Sequence, residues 1–409
     1  MKVLIGVALL LGATASHYTY ASYNSLPRSN AAALGMADAN VALADGPSAQ
    51  IINPANLLGP DTPASGWEAG ALFGRVDMDL APDARLPNTL SAETGYPVIP
   101  FLALGFARSE RLAVGFAVDS PFGVALEWPD HAFETNLGPP GAQDVAREAE
   151  ITVVRAGPAI AWRAGDRLDL GARVFYQYVE ARDVSDIGGA EGDGRSIGAQ
   201  LGLVYRSGGY ALGAAYTHRT HTEIDGQTRR IGEPSEMHGR ADIHVPARLQ
   251  VGVALEVRPN MWWEVDLDWL GWSYIDELTI VRDDGSILNF GRNARHFDDA
   301  LSVRTGARWK IRGDRVVYAG IAYDPSPVDE RDAAPTINNL SMTRVGFGMG
   351  FLLRSGLRLD LAYQYVRGHS RRVTDTVQDD IPGLGDTGLF EGTYRSESHV
   401  LGVTLGGSF

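Results

Sequence analysis

Several clusters in this 409-residue chain have side chains that could do chemistry. Of nine histidines, four fall close together, as His218-x-x-His221 followed by His238 and His244. Neutral imidazoles at short spacing are common metal ligands. Ser398-His399 and His369-Ser370 carry two members of an activated-nucleophile set. The local backbone argues against both readings. His218 and His221 sit near the outer end of a strand-like segment, where positions i and i+3 face opposite sides, with His238 and His244 across the loop, and the Ser–His pairs are adjacent residues, which point apart on a strand. Asp283-Asp284-Gly285 reads as a hairpin turn within a loop, and Arg312-Gly313-Asp314 as another tight turn. No catalytic residue, metal ligand or cofactor is expected.

A different stretch is harder to dismiss. Residues 114–126 read VGFAVDSPFGVAL, with strand-like ends around Ser120, Pro121, Phe122 and Gly123. Proline has no N–H for a ladder, and glycine weakens a strand interior. A β-bulge explains such a break by residue type alone.

The elements around these residues have a consistent form. Met1-Lys2, the apolar run Val3 to Leu11 and the small residues after it read as a secretory signal, with cleavage after Ala15 or Ala21. No later segment offers the ~20 apolar residues of a helical membrane span. The chain instead carries fourteen candidate strands, at 67–78, 97–108, 112–128, 148–163, 167–183, 194–206, 209–223, 244–257, 261–275, 297–312, 315–324, 340–353, 356–369 and 394–409.

Many of these strands alternate cleanly. In the tenth, Leu301, Val303, Thr305, Ala307, Trp309 and Ile311 oppose Ser302, Arg304, Gly306, Arg308 and Lys310. In the ninth, Trp263, Val265, Leu267 and Trp269 oppose Glu264, Asp266 and Asp268. Acids and bases on the inner faces of adjacent strands can pair across a polar lumen. Short connections (109–111, 164–166, 207–208, 259–260, 313–314 and 355) alternate with long ones (79–96, 129–147, 184–193, 224–243, 276–296, 325–339 and 370–393). Short periplasmic turns, long external loops and an even strand count are the pattern of an outer-membrane barrel. Aromatic residues near strand ends are expected at the two membrane interfaces. Trp67, Trp162, Trp262, Trp263 and Trp309 fall toward the turns, and Trp128, Trp272 and Tyr274 toward the loops.

The fold expected is all-β: a 14-stranded antiparallel transmembrane barrel over 67–409, with residues 22–66 as a hatch in its lumen. That segment is rich in Ala, Gly and Asn, and a lumen of this width can host it. A net charge of −14 argues against a nucleic-acid partner.

LGMADANVALADGPSAQIINPANL, with Leu34, Gly35, Asn53, Pro54 and Ala55, resembles the amino-terminal hatch of the FadL/TodX family of outer-membrane hydrophobic-compound transporters. FAVDSPFGVALEWP resembles that family's kinked third strand. VPARLQVGVALEVRPNMWWEVDLDWLGWSYIDELTI resembles its eighth and ninth strands, and GIAYDPSPVDERDAAPTINN its eleventh strand and the loop after it.

The resemblance implies passive transport of long-chain fatty acids or hydrocarbons in a bacterial outer membrane. The ligand is captured at external loops, held in a lumenal pocket and released sideways through an opening at Ser120, Pro121, Phe122 and Gly123. It also implies basic anchors for a fatty-acid carboxylate near the end of strand five, where Arg182 lies, and at the start of strand ten. There Asp298 stands instead, with Arg292 and Arg295 nearby. The partners expected are the hydrophobic ligand and the lipid and lipopolysaccharide around a monomer. A general diffusion porin is the alternative.

Overall fold

Strands with one apolar and one polar face can bury neither face alone, and closing the sheet on itself satisfies both in a membrane. The computed structural model describes residues 30–409 apart from 64, 84–87, 137–141, 145–146, 187, 231–232, 234, 275–278, 289–296, 312–314, 337–339 and 382–384. Both cleavage positions and the start of the proposed hatch therefore lie outside the described residues, as do Arg292, Arg295 and the 312–314 turn.

Fourteen staves form the wall: β1 Ser65–Pro82, β2 Val98–Ser109, β3 Leu112–Glu127, β4 Glu148–Arg163, β5 Leu168–Ser185, β6 Gly188–Ser207, β7 Tyr210–Thr217 continued by Thr220–Arg230, β8 Met237–Val245 continued by Ala247–Arg258, β9 Met261–Gly271, β10 Ala300–Ile311, β11 Arg315–Asp324, β12 Met342–Leu352, β13 Arg358–Gly368 and β14 Gly392–Ser408. Each pairs antiparallel with the next. The ring closes where β1 meets β14, from Gly66↔Ser408 to Pro82↔Gly392. The expected fourteen-stranded barrel is the fold observed.

The alternation sorts side chains as the sequence predicts. Leu301, Val303 and Trp309 are exposed on the outer wall, while Ser302, Arg304 and Arg308 are buried inside. Across the lumenal face, Arg304 bonds Asp324 at 2.7 Å and approaches Asp268 at 3.2 Å. Arg344 holds the second Asp324 oxygen at 2.5 Å, and Arg248 pairs with Asp268. These alternating charges link β8 through β12.

Two expectations about the loop end need correction. Connections 184–193 and 224–243 are largely not loops. β5 and β6 stay in register to Ser185↔Gly188, and β7 pairs β8 from Thr220↔Val245 out to Thr228↔Met237. The glycines of 188–194 suggest a turn, yet they fit a ladder that neighbouring strands supply. Trp128 and Trp272, expected at the membrane interface, are each only 1% exposed and sit in internal apolar clusters. Trp162, Trp263 and Trp309 do face outward.

Residues 30–58 fill the turn-side half of the lumen as two short helices, α1 Ala31–Gly35 and α2 Ala49–Ile52, and a 3-10 turn Pro54–Leu58. Asn30 caps α1 by accepting from Ala33 N at 2.7 Å. The segment is bonded to the wall on several sides. Ala31 N donates to Thr404 Oγ1 at 2.9 Å, Ala42 N to Glu264 Oε1 at 2.6 Å and Val41 N to Asp266 Oδ2 at 3.1 Å. Gln200, Arg308 and Gln364 donate to the carbonyls of Ile52, Leu43 and Leu34. Acids inside the barrel thus satisfy the segment's N–H groups, and amides and arginines its carbonyls.

Candidate functional site

Asn53, fully buried, anchors the turn into the 3-10 segment Pro54–Leu58. Its Nδ2 donates to Val41 O at 3.0 Å and to Leu203 O on β6 at 3.1 Å. Its Oδ1 accepts from Ala55 N at 3.1 Å, and Pro54 takes the first helical position, where its missing N–H costs nothing. Glycines in the wall admit this turn. A Cβ on Gly202 would lie 2.0 Å from Asn53 Oδ1, and one on Gly171 2.2 Å from Ala55 N. Leu34 and Gly35 pack against the other side of the barrel, Leu34 with Leu72, Ile99 and Val400.

Strand β3 shifts its register against β4 between Asp119 and Phe122. On its β4 side the register runs Asp119↔Arg155 and then Phe122↔Val153, so β3 spends one more residue than β4. The irregularity there is Ser120–Pro121, and Phe122 and Gly123 are already back in the ladder. Ser120 Oγ donates to Val153 O at 2.7 Å and closes a bond the bulge opens. On the other side, the β2–β3 ladder ends at Leu102↔Val118 although β2 continues to Val98 and β3 to Glu127. Pro100 and Pro121 flank this unladdered seam, and neither has an N–H to leave unsatisfied.

Behind the seam lies a cavity of about 60 Å³, lined by Ile99, Pro100, Phe101, Asp119, Ser120 and Pro121 on the seam side, and by Val245, Leu270 and Trp272 opposite. Arg155, Arg173 and Arg248 are its cations, and Asp119 the carboxylate of its lining. Arg173 Nη2 bonds Asp119 Oδ1 at 2.5 Å and Ala117 O at 3.2 Å. Its Nε is buried with no hydrogen-bond partner. Arg155 lies 4.4 Å over the Phe175 ring and donates from Nε to Gln177 Oε1 at 2.9 Å. Gln177 in turn donates to Thr220 Oγ1 at 2.8 Å, so Arg155 is held from behind. The arrangement is an apolar chamber with guanidinium groups at one wall. A cavity of this size suits an acidic headgroup and the first carbons of an apolar tail.

Of the expected anchors, Arg182 does not reach this chamber, and Arg292 and Arg295 lie outside the described residues. Arg182 lies on β5 with the parity opposite to Arg173 and Phe175, its side chain 48% exposed, 3.7 Å from Glu148. One residue of offset on a strand sends a side chain to the other face. Asp298 is exposed, and its N–H donates to Pro327 O at 2.8 Å. Sequence reasoning missed Pro100, Arg155 and Arg173. Arg155 stands on an otherwise apolar buried strand face, which is a readable signal, whereas Arg173 shares its face with Asp169 and Gln177.

Among the described residues no His, Asp and Glu groups converge as metal ligands. His238 sits between Asp225, 2.6 Å from Nε2, and Asp283, 2.9 Å from Nδ1. His221 stacks on His244 with ring centroids 4.9 Å apart. His399 Nδ1 meets the Tyr363 hydroxyl at 2.7 Å, and His369 Nε2 meets Thr343 Oγ1 at 2.9 Å.

Residues 12–409 match the family described as outer membrane protein transport protein (OMPP1/FadL/TodX). The long-chain fatty acid transport protein of Salmonella typhi is 23% identical over 367 residues, 79% of this chain and 82% of that protein. Alkane uptake protein A of Marinobacter nauticus is 30% identical over 125 residues, 28% of this chain and 27% of that protein. Among solved structures, a Pseudomonas aeruginosa FadL homologue superposes with a TM-score of 0.78 at 16% identity, over 96% of this chain and all 100% of that one. The Pseudomonas putida toluene transporter TodX gives 0.69 at 17% identity, over 94% and 99%.

Proposed function

The chain belongs to the OMPP1/FadL/TodX family of outer-membrane transport proteins, and from that premise we propose that it carries long-chain carboxylic acids inward without energy coupling. The observation that carries this reading is the apolar cavity with Arg155 and Arg173 in its wall, opening onto the unladdered β2–β3 seam. An acid headgroup in a dry site needs a cation, because an unpaired buried charge is costly. Conversely, a hydrocarbon gains little from guanidinium neighbours. An apolar tail also has no reason to cross into water on the far side. Sideways release between β2 and β3 into the bilayer keeps it in hydrocarbon throughout. Residues 30–58 below the cavity bar the axial route.

Uncharged hydrocarbons are the competing cargo, and the named relatives include an alkane and a toluene protein. The test is uptake of radiolabelled oleate and toluene by cells lacking their own transporter. Deleting Pro121 evens the count of β3 against β4 and closes the bulge. Wild type is expected to speed oleate uptake, the deletion to fold and not do so, and Arg173→Gln to weaken oleate more than toluene. Faster toluene but not oleate uptake overturns the acid reading. Equal uptake by wild type and the deletion overturns the lateral route. Passage of small sugars through wild type would restore the porin alternative.

A further inference from the structure

We infer that Asp119 is a resident stand-in for the carboxylate of the cargo, and that its displacement from Arg173 is the event that loosens the β2–β3 seam. The inference rests on the acid-ligand reading above and assigns a specificity-determining residue within it.

At this height no ladder joins β3 to β2, and side chains tether β3 to the staves on its other side. Arg173, reaching over from β5, grips Ala117 O and Asp119 Oδ1, one residue to either side of Val118, where the ladder to β2 ends. Ser120 ties the next residue to Val153 O. The side chains of Arg173 and Asp119 are 2% and 6% exposed, so the pair is dry. Both line the cavity. A carboxylate arriving there finds the facing guanidinium already occupied by an acid of the protein.

Removing one member of a buried ion pair leaves an uncompensated charge, which is strongly unfavourable. Arrival of the cargo carboxylate and departure of Asp119 are therefore one exchange. Charge on Arg173 stays matched throughout, and Asp119 turns toward water. Because Asp119 is the last residue in register before the bulge, its departure shifts the backbone that forms the seam. A neutral hydrocarbon brings no anion and drives no exchange. Asp119 thus selects for acids and couples their binding to the opening of the wall.

The experiment uses the full-length protein in detergent, with tryptophan fluorescence, to which the cavity-lining Trp272 contributes, reporting binding of oleate and of methyl oleate, its uncharged ester. Asp119→Asn removes the competing anion and keeps the size. It is expected to tighten oleate by about tenfold or more, since the seat no longer has to be vacated, and to leave methyl oleate unchanged. Oleate uptake in cells is expected to fall despite the tighter binding. Asp119→Ser gives the same comparison if the amide does not assemble. Ser120→Ala, which frees β3 from Val153 O on β4 without removing either member of the Arg173–Asp119 pair, should change uptake and leave the oleate-to-ester affinity ratio alone.

An unchanged ratio in both Asp119 variants overturns the inference, as does equal tightening of acid and ester. Failure of wild type to bind oleate while binding the ester overturns the acid-ligand reading itself and this inference with it.

Discussion

Replacing Asn53 with alanine should unseat the plug while the barrel stays intact. Asn53, itself fully buried, makes three hydrogen bonds, to Val41 O at 3.0 Å, to Leu203 O at 3.1 Å and from Ala55 N at 3.1 Å. The losses differ in kind. Val41 O keeps the bond from Asn56 Nδ2 at 3.0 Å, so it is not orphaned. Ala55 N loses its cap. At about 1 kcal/mol net for each bond the total is about 3 kcal/mol, roughly a hundredfold in the fraction of molecules with the turn undocked. None of this touches the ladders between staves, so heat resistance of the barrel should be nearly unchanged. The assay is swelling of proteoliposomes in a small sugar. Wild type should pass little, and the Asn53→Ala protein should pass the sugar measurably faster. Equal rates would refute the claim that this turn seals the lumen. A wild type as leaky as an open porin would refute the plug altogether.

Other perturbations have outcomes fixed by the same geometry. Gly202→Val places a Cβ only 2.0 Å from Asn53 Oδ1, so it should expose the plug segment to added protease and raise sugar leakage as Asn53→Ala does. Leu267→Arg puts a charge mid-strand on the lipid-facing side, where Leu267 is 47% exposed, and should cost about 2–4 kcal/mol in folding titrations into bilayers. Asp61, between plug and barrel, responds to acid in a defined direction. Burial alone would raise its carboxyl, but Lys310 and Arg308 outweigh that and hold it below the usual carboxylate range. A depressed folded value means the latch is fully made at neutral pH and is lost only as pH falls through that lowered value. Sugar leakage should thus rise in strong acid, and Asp61→Asn should leak at neutral pH and lose the acid response.

Much of this architecture was legible in the residues because a barrel strand is a local object. Period-two alternation decides which face of Ser302, Leu301 or Arg304 meets lipid, and turn residues decide where a stave ends, without reference to any distant residue. The fourteen staves, the polar lumen and the break at Ser120–Pro121 all follow from such short-range signals, and Asn53-Pro54 marks its own turn. Residues 188–194 escaped because glycine signals a turn only when no neighbour offers a ladder, and β5 and β7 both do.

The chamber is the part the chain's order could not reveal. Its wall joins Phe101, Asp119, Arg173 and Trp272, which meet only because the sheet curls shut and its staves bring distant residues to one height. Whether Arg173 or Arg182 faces inward turns on one residue of parity, and whether Trp272 sits in lipid or under the loops turns on how the loop end folds over the lumen. Those are properties of closure. The sequence by itself determined the staves and their faces, through interactions within a few residues. The tertiary structure alone decided which charges meet in the lumen and where the wall lacks a ladder, because both depend on the register between strands.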